Sequence, residues 1–205
     1  VDCSLFRRYD VGRDTLLKDS FVIGYVGRLV ESKGVHLLLH ALHQLPESVR
    51  LLLVGKGPLL QTLKKLAEAL RIAQRVEFHS AVPYRDVPRV LNMMDLFVLP
   101  SIETKFWTEQ FGRVLIEAMA SELSIVASRS GEIPEVLGDA GLMFTMGDLQ
   151  DLTEKIRSLI QDVDLRNTLA ASGRARALKF YDAPVIAEKI AVAIRESLEI
   201  QDAPQ

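Results

Sequence analysis

Cysteine, aromatic residues and long hydrophobic runs are all scarce in this sequence of 205 residues. Cys3 is the single cysteine, so a disulfide framework within the chain is excluded and a reducing compartment is favoured. No apolar run reaches the roughly 18 residues of a membrane-spanning helix, and no signal-peptide pattern occurs. The net charge of -2 gives no indication of a nucleic-acid-binding surface. We therefore expect a globular, cytoplasmic protein with no nucleic-acid partner.

Internal repeats and the usual nucleotide-binding fingerprints are missing as well. Gly55-Lys56-Gly57-Pro58 is not a P-loop, because Gly57 stands where Ser or Thr should follow the lysine. No G-x-G-x-x-G fingerprint occurs, so NAD binding of the usual type is not expected. His36, His40 and His43 share one helix face and could hold a metal. Nothing adjacent supplies a carboxylate or thiolate, so a solvated polar face is the favoured interpretation.

Apolar runs of strand length alternate with amphipathic helical segments along most of the chain. The runs are Phe21–Val26, Val49–Val54, Val76–Phe78, Leu96–Ser101 (closed by its proline), Ser124–Ser128 and Gly141–Phe144. Continuous apolar runs are typical of strands buried on both faces of a parallel sheet. The alternation predicts an α/β fold, a three-layer, Rossmann-like, doubly wound parallel sheet of about six strands, with extra C-terminal helices.

Two glutamates, Glu109 and Glu117, are separated by seven residues in the segment after the fourth predicted strand. Ligands of open α/β sheets bind outside the carboxyl ends of the strands, and a helix N-terminus favours an anion there. Gly112 between them would let the anion approach the backbone closely. Glu117 stands in an apolar helix, where an unpaired carboxylate is costly and ligand hydroxyls would satisfy it. The alternative is a glutamate exposed on one side or paired to an arginine.

Two more segments are predicted at the same edge of the sheet. Gly27-Arg28-Leu29 and Lys33-Gly34 place two cations after the first strand, as either an anion site or a solvated turn. The segment 130–135, Ser-Gly-Glu-Ile-Pro-Glu, is a predicted loop after the fifth strand.

Taken together and in this order, the motifs resemble the C-terminal, donor-binding half of a GT-B glycosyltransferase, similar to glycosyltransferase family 4 (group 1). The resemblance rests on segments 1–7, 27–34, 55–58, 95–101, 109–117 and 130–135. It implies an inter-domain linker at 1–20, a nucleotide-sugar-binding Rossmann-like domain at 21–182, and a C-terminal helix at 183–205. That helix would cross back to an N-terminal acceptor-binding domain that this chain lacks.

The resemblance also implies a role for each candidate site residue. Arg28 and Lys33 would bind the donor diphosphate and stabilise the leaving nucleotide, and Glu109 would contact sugar hydroxyls; these are the implied catalytic residues. Glu117 would hold the ribose hydroxyls. The other implied donor-binding residues are Gly27, Phe111, Gly112, Arg113 and Val114 near the sugar and phosphates, and Ser80, Ala81 and Val82 near the base.

The implied reaction is retaining hexosyl transfer from a nucleoside-diphosphate sugar, without metal or other cofactor. Fixed cations aimed at the departing diphosphate would do the work of a metal, and we find no Asp-x-Asp pair that would hold one. UDP is the first expected carrier and GDP the second. The carboxylates are not expected to be a glycosidase acid and nucleophile pair. The remaining alternatives are a GT-B nucleotide-sugar epimerase and a non-catalytic nucleotide-sugar-binding module.

The sequence departs from the family pattern in several places. Ser130 stands where one of two glycines is common. Glu122 and Ser124 stand where a glycine and a proline are usual, and we expect an effect on stability more than on chemistry. Trp107 lies in a long loop and is expected to form a wall for the sugar, a contact with the missing half, or plain packing. We expect the isolated half to bind donor with little or no turnover, and any membrane contact to be made through the missing half.

Overall fold

The computed structural model describes residues 1–12, 17 and 19–201, without the side chains of 196 and 198–201. Six parallel strands form its one sheet, in the order β3-β2-β1-β4-β5-β6. They are β1 (Phe21–Val26), β2 (Val49–Val54), β3 (Val76–His79), β4 (Leu96–Leu99), β5 (Ser124–Ser128) and β6 (Leu142–Phe144). The predicted parallel α/β fold is therefore confirmed.

The central strands are buried because their sequences are apolar on both faces. All residues of β4 and β5 are buried, and only the two end residues of β1 are partly accessible. β1 pairs with β2 from Phe21–Val49 to Val26–Val54, and with β4 on its other side. Strands β2 and β3 therefore lie on one side of β1, whereas β4, β5 and β6 lie on its other side. Such a switch point opens a crevice at the carboxyl ends of the two strands.

Eight α-helices occur in the described part of the chain, and they flank the sheet. They are α1 (Val35–His43), α2 (Leu60–Ala69), α3 (Val87–Asn92), α4 (Arg113–Ala120), α5 (Ile133–Leu137), α6 (Leu149–Gln161), α7 (Val163–Phe180) and α8 (Ala183–Gln201). Helix α1 packs on α2 and α6, whereas α4 packs on α5 and α7. The prediction of a loop throughout 130–135 was wrong, because α5 begins at Ile133. Pro134 lies in its first turn, where proline is favoured.

The N-terminal segment packs on the body of the fold. Cys3 and Phe6 are fully buried, and the Arg174 guanidinium of α7 donates hydrogen bonds to their carbonyl oxygens at 3.0 and 2.6 Å. The Cys3 N–H donates to the Asp182 carboxylate at 3.0 Å. This segment is therefore joined to the connection between α7 and α8, the place where the sequence predicts a crossing between domains.

Helix α8 exposes several apolar side chains to solvent. Its exposed apolar residues are Ile186, Ile190, Val192 and Ile194. Within the described residues, none of the helices has the length and the apolar character needed to span a bilayer.

Candidate functional site

A cavity of about 430 Å³ opens at the carboxyl ends of β1 and β4. Its walls come from the β1–α1 connection, the β4–α4 connection and the start of α4. Eight of the residues singled out from the sequence line it, namely Gly27, Arg28, Lys33, Glu109, Gly112, Arg113, Val114 and Glu117. The remaining lining residues are Tyr25, Val26, Tyr84, Val87 and Leu99.

Lys33 and Glu109 both line this cavity and contact each other. Their side chains form a salt bridge and are only 13% and 10% exposed. Lys33 ends a short 3-10 helix, and the backbone then turns at Gly34 with φ of +60°. A Cβ at Gly34 would lie 2.0 Å from the carbonyl oxygen of Pro100, so glycine lets the β1–α1 connection touch the end of β4. That close approach brings the lysine to the glutamate.

Two buried serines orient the Glu109 carboxylate. The Ser101 hydroxyl donates a hydrogen bond to Glu109 Oε2 at 2.9 Å. The Ser128 hydroxyl in turn donates to the Ser101 carbonyl oxygen at 2.6 Å. The carboxylate therefore has a fixed hydroxyl donor beside the lysine. Sequence analysis did not single out Ser101, although its place directly after Pro100 at a strand end was the available signal.

The segment after β5 fixes the backbone of Glu109. The Glu132 N–H donates to the Glu109 carbonyl oxygen at 2.9 Å. Gly131 has φ of +49°, and a Cβ there would lie 2.0 Å from the same oxygen. Its N–H donates to Glu103 Oε1 at 2.9 Å. The motif at 130–132 thus holds the loop that carries Glu109.

The backbone of Arg28 is fixed by a hydrogen bond, whereas its side chain is exposed. The Tyr25 hydroxyl, fully buried, donates to the Arg28 carbonyl oxygen at 2.8 Å. Burial raises the pKa of Tyr25, and the nearby charge of Glu109 raises it further, so the phenol stays protonated as a donor. A buried tyrosine in β1 could not be distinguished from core packing in the sequence.

The segment Gly55–Gly57 supports the Arg28 loop from the neighbouring strand. Gly27 N–H donates to the Val54 carbonyl at 3.0 Å, and Leu29 N–H donates to the Lys56 carbonyl at 2.9 Å. A Cβ at Gly57 would lie 2.2 Å from the Leu29 carbonyl oxygen. The glycines are therefore needed for close backbone contact.

Glu117 is 5% exposed and lies on the first turns of α4 facing the cavity. Its Oε1 atom is 3.2 Å from Arg113 Nε, within ion-pair distance. Among the described residues that atom receives no well-aligned hydrogen bond. Burial raises the pKa of Glu117, and the charge of Arg113 only partly offsets this. Tyr84 stacks on the Arg113 guanidinium at 5.2 Å, and burial, followed by the charge of Glu117, raises the pKa of its hydroxyl.

Helix α4 begins at the cavity, directly after Gly112. Gly112 has φ of +62° and ψ of +51°, a left-handed conformation that glycine adopts readily. The first N–H groups of a helix have no partner within it, and the positive end of the helix dipole lies there. This end of the cavity can therefore receive an anion.

Four of the predicted site residues lie outside this cavity. Ala81 and Val82 line an adjoining cavity of about 230 Å³, which shares Gly27 and Arg28 with the first. Ser80 is exposed and lines neither cavity. The side chain of Phe111 is half exposed and packs edge-on against Tyr181, with ring centroids 6.0 Å apart.

No group of three or more histidine, cysteine, aspartate or glutamate residues placed to hold a metal occurs in the part of the chain that the structure describes. The sequence does contain one Asp-x-Asp pair, Asp162 and Asp164. It lies at the start of α7, where the Asp162 carboxylate accepts a hydrogen bond from the Leu165 N–H at 2.8 Å. Asp162 therefore caps α7, and neither aspartate lines the cavity.

Comparisons with known proteins agree with this arrangement. The family model of the group 1 glycosyl transferases matches residues 12–176. The capsular polysaccharide biosynthesis glycosyltransferase CapM of Staphylococcus aureus is 34% identical over 182 residues, which is 85% of this chain and 46% of CapM. The crystal structure of Anabaena Alr3699/HepE in complex with UDP matches with a TM-score of 0.84 and 27% identity, over 96% of this chain and 56% of that one.

A third match is limited to one domain. The C-terminal domain of the group 1 glycosyl transferase LpcC from Francisella tularensis shares the fold with a TM-score of 0.76 and 23% identity, over 89% of this chain and 99% of that one. The chain spans roughly a third to a half of the length of the curated relatives it matches. It belongs to the group 1 glycosyltransferase family and has the fold of the C-terminal domain of a GT-B protein.

Proposed function

We propose that this chain binds a nucleoside-diphosphate sugar in the cavity between β1 and β4, as the donor half of a retaining, metal-independent glycosyltransferase. The observation that carries the proposal is that Arg28, Lys33, Glu109 and Glu117 line one cavity at the start of α4. Two cations and a helix N-terminus suit a diphosphate. Two carboxylates suit the hydroxyl groups of a ribose and a hexose.

The chemistry follows from where charge develops. As the bond between the sugar and the diphosphate breaks, negative charge accumulates on the departing phosphate, and fixed cations and N–H groups stabilise it. In the structure Lys33 pairs with Glu109. In the proposed donor complex Lys33 exchanges the carboxylate for phosphate, and Glu109 then accepts hydrogen bonds from sugar hydroxyls. The acceptor attacks from the face that the phosphate leaves, and its proton passes to that phosphate.

UDP is the carrier we propose first. The neighbour HepE has been crystallised with UDP and with UDP-glucose. The adjoining cavity at Ala81 and Val82 is continuous with the Arg28 loop and is where we place the base. GDP is the second carrier that we propose.

The acceptor site belongs, in this proposal, to an N-terminal domain outside the given chain. The exposed apolar side chains of α8, such as Ile190 and Ile194, would pack against that domain. The isolated chain would bind donor but transfer little sugar. We place the complete enzyme in the cytoplasm, with any membrane contact made through its other half.

Titration of the purified chain with UDP, GDP and UDP-glucose tests the proposal. At a hundred times the dissociation constant a ligand adds about 2.7 kcal/mol of stability, which raises the melting temperature of a chain this size by roughly 5–10 °C. Binding should persist in EDTA and weaken in Lys33→Met. Lys65→Met, on an exposed position of α2, is the matched control.

Three outcomes would reject parts of the proposal. No shift with any of these ligands at millimolar concentration would reject donor binding at this cavity. For the full-length protein, the anomeric configuration of the product by NMR tests retention, and an inverted product would reject it. Conversion of the donor without acceptor would identify an epimerase instead.

A further inference from the structure

Trp107 is the single tryptophan of the chain, and its ring centroid lies 4.5 Å from Nζ of Lys33. We propose that Trp107 is a positioning residue for Lys33. Its ring face keeps the ammonium at the cavity when the Glu109 partner is exchanged for a nucleoside diphosphate. This inference rests on the proposed function, because it assumes that Lys33 binds that diphosphate.

The backbone of Trp107 is fixed by a tight turn. The Thr104 N–H donates to the Trp107 carbonyl oxygen at 2.8 Å, and the Trp107 N–H donates back to the Thr104 carbonyl at 3.3 Å. The two residues form an isolated antiparallel bridge. The turn lies between Ser101 and Glu109, so the loop that delivers the glutamate also delivers the indole. Both partners of the Lys33 ammonium therefore come from one loop.

The two partners act differently on the cation. Glu109 neutralises it, and a neutralised lysine attracts phosphate weakly. The indole attracts the ammonium through its ring quadrupole, with no net charge of its own. The lysine ammonium is a point charge on a flexible four-carbon stem. Without a second contact, the Lys33 side chain would move into solvent once Glu109 is released. Because the ring already restricts the Lys33 side chain, less side-chain entropy would be lost when diphosphate binds.

A neighbouring aromatic residue provides the matched control. Phe106 is 90% exposed and stacks with Lys105, with 5.5 Å between Nζ and the ring centroid. It belongs to the same turn, but the cation against its ring is Lys105, whereas Lys33 lies against Trp107. Phe106→Leu therefore removes an aromatic ring from the loop without touching the proposed contact.

A double-mutant cycle measures the proposed coupling. UDP and GDP are each titrated calorimetrically, and the tighter of the two is used throughout. Trp107→Leu should weaken binding about 3- to 30-fold, the range expected for a cation–π contact that is partly shielded from water. Trp107→Phe should recover part of the loss, because Phe attracts cations less strongly than Trp. In a Lys33→Met background Trp107→Leu should change binding less than about twofold, and Phe106→Leu should not change it.

The same residue gives a direct optical signal. Excitation at the red edge of protein absorption selects Trp107 alone, since no other tryptophan is present. Nucleoside diphosphate should change its emission in the wild-type chain, because the ammonium against the ring changes partner. Lys33→Met should lose that change.

The outcomes separate this inference from the proposed function. If neither UDP nor GDP binds the wild-type chain, the proposed function itself fails. If diphosphate binds and Lys33→Met weakens it, the proposed function stands. Trp107→Leu acting equally in both backgrounds, or an emission change that survives Lys33→Met, would then overturn the positioning role. Trp107→Phe with a wild-type melting temperature but no recovery of binding over Trp107→Leu would also overturn it.

Discussion

Glu117→Gln should raise the stability of this chain and weaken its binding of UDP. The Glu117 side chain is 6% exposed, and it pairs with Arg113, whose own side chain is 69% exposed. Burial raises the pKa of Glu117, which means that the folded chain pays to keep it ionised at neutral pH. Glutamine removes the charge at nearly constant volume.

The two expected magnitudes follow from these contacts. The lost ion pair with a largely exposed arginine is worth about 0.2–1 kcal/mol, whereas the relieved desolvation is of order a few kcal/mol. We expect a net gain of about 1 kcal/mol, or roughly 2–4 °C in melting temperature. A hydrogen bond to a charged acceptor contributes about 1 kcal/mol more than one to a neutral acceptor. Two ribose hydroxyls therefore predict binding that is weaker by about 2 kcal/mol, or roughly 30-fold.

Thermal unfolding and calorimetric titration with UDP measure the two effects on the same sample. Glu68→Gln, at an exposed position of α2, is the control and should change neither quantity. A lower melting temperature for Glu117→Gln would refute the argument that the carboxylate is buried at a cost. UDP affinity within twofold of wild type would refute its role toward the ribose.

The pH dependence has a definite sign. Between the ordinary value of 4.5 and the raised pKa of Glu117, the folded chain binds more protons at this group than the unfolded chain. The contribution of Glu117 to stability is therefore greatest at low pH and falls as the pH rises through that window. In the proposed donor complex the ionised Glu117 accepts the ribose hydroxyls, so UDP affinity should fall as the pH drops through the same window. Glu117→Gln should remove the part of both dependences that Glu117 causes; an unchanged affinity profile in the variant would contradict this.

Two further predictions concern backbone conformation. Glu122 has φ of +55° and lies just past the end of α4, where glycine is favoured, so Glu122→Gly should raise stability by about 0.5–1 kcal/mol. Glu68→Gly, inside α2, should lower stability by about 1 kcal/mol, and equal signs for the two variants in chemical denaturation would contradict the reasoning. Gly131→Ala should lower stability by about 1–3 kcal/mol and weaken UDP-glucose binding, because its Cβ would meet the Glu109 carbonyl oxygen at 2.0 Å. Gly147→Ala, with φ of +78° and open space around it, isolates the conformational cost alone; equal losses in the two alanine variants would show that the contact with Glu109 is not the cause.

The strands could be predicted from sequence because a parallel sheet buried on both faces leaves continuous apolar runs. β1, β2 and β5 have the bounds expected from their apolar residues. Helix α5 was missed because five residues are too few for a periodic pattern. Arg75 was also missed: its buried guanidinium donates to the carbonyl oxygens of Leu45, Pro46 and Val49, contacts that exist only after β2 and β3 pair.

Eight of the residues singled out from the sequence line the cavity, but the pairing among them could not be predicted. The positions of Arg28, Lys33 and Glu117 after strands or on α4 were enough to place them at one edge of the sheet. The pairing of Lys33 with Glu109 is a contact between residues 76 apart in sequence. Each had been assigned to a different part of the donor, so a direct contact between them was not expected. The Ser101 and Ser128 hydroxyls that complete the arrangement depend on the pairing of β4 with β5.

Both carboxylates of the cavity are matched with a cation in the structure, Glu109 with Lys33 and Glu117 with Arg113. If a nucleotide sugar occupies this cavity as proposed, each carboxylate passes from a cation to hydroxyl donors while cations pass to phosphate. The two carboxylates are thus compensated within the protein, and the proposed donor would exchange these ion pairs for new contacts. The free energy of binding from such an exchange is only the difference between the new contacts and the old ones. Contacts made by the sugar and the ribose therefore matter for affinity as well as the diphosphate charge, because they take over the two released carboxylates.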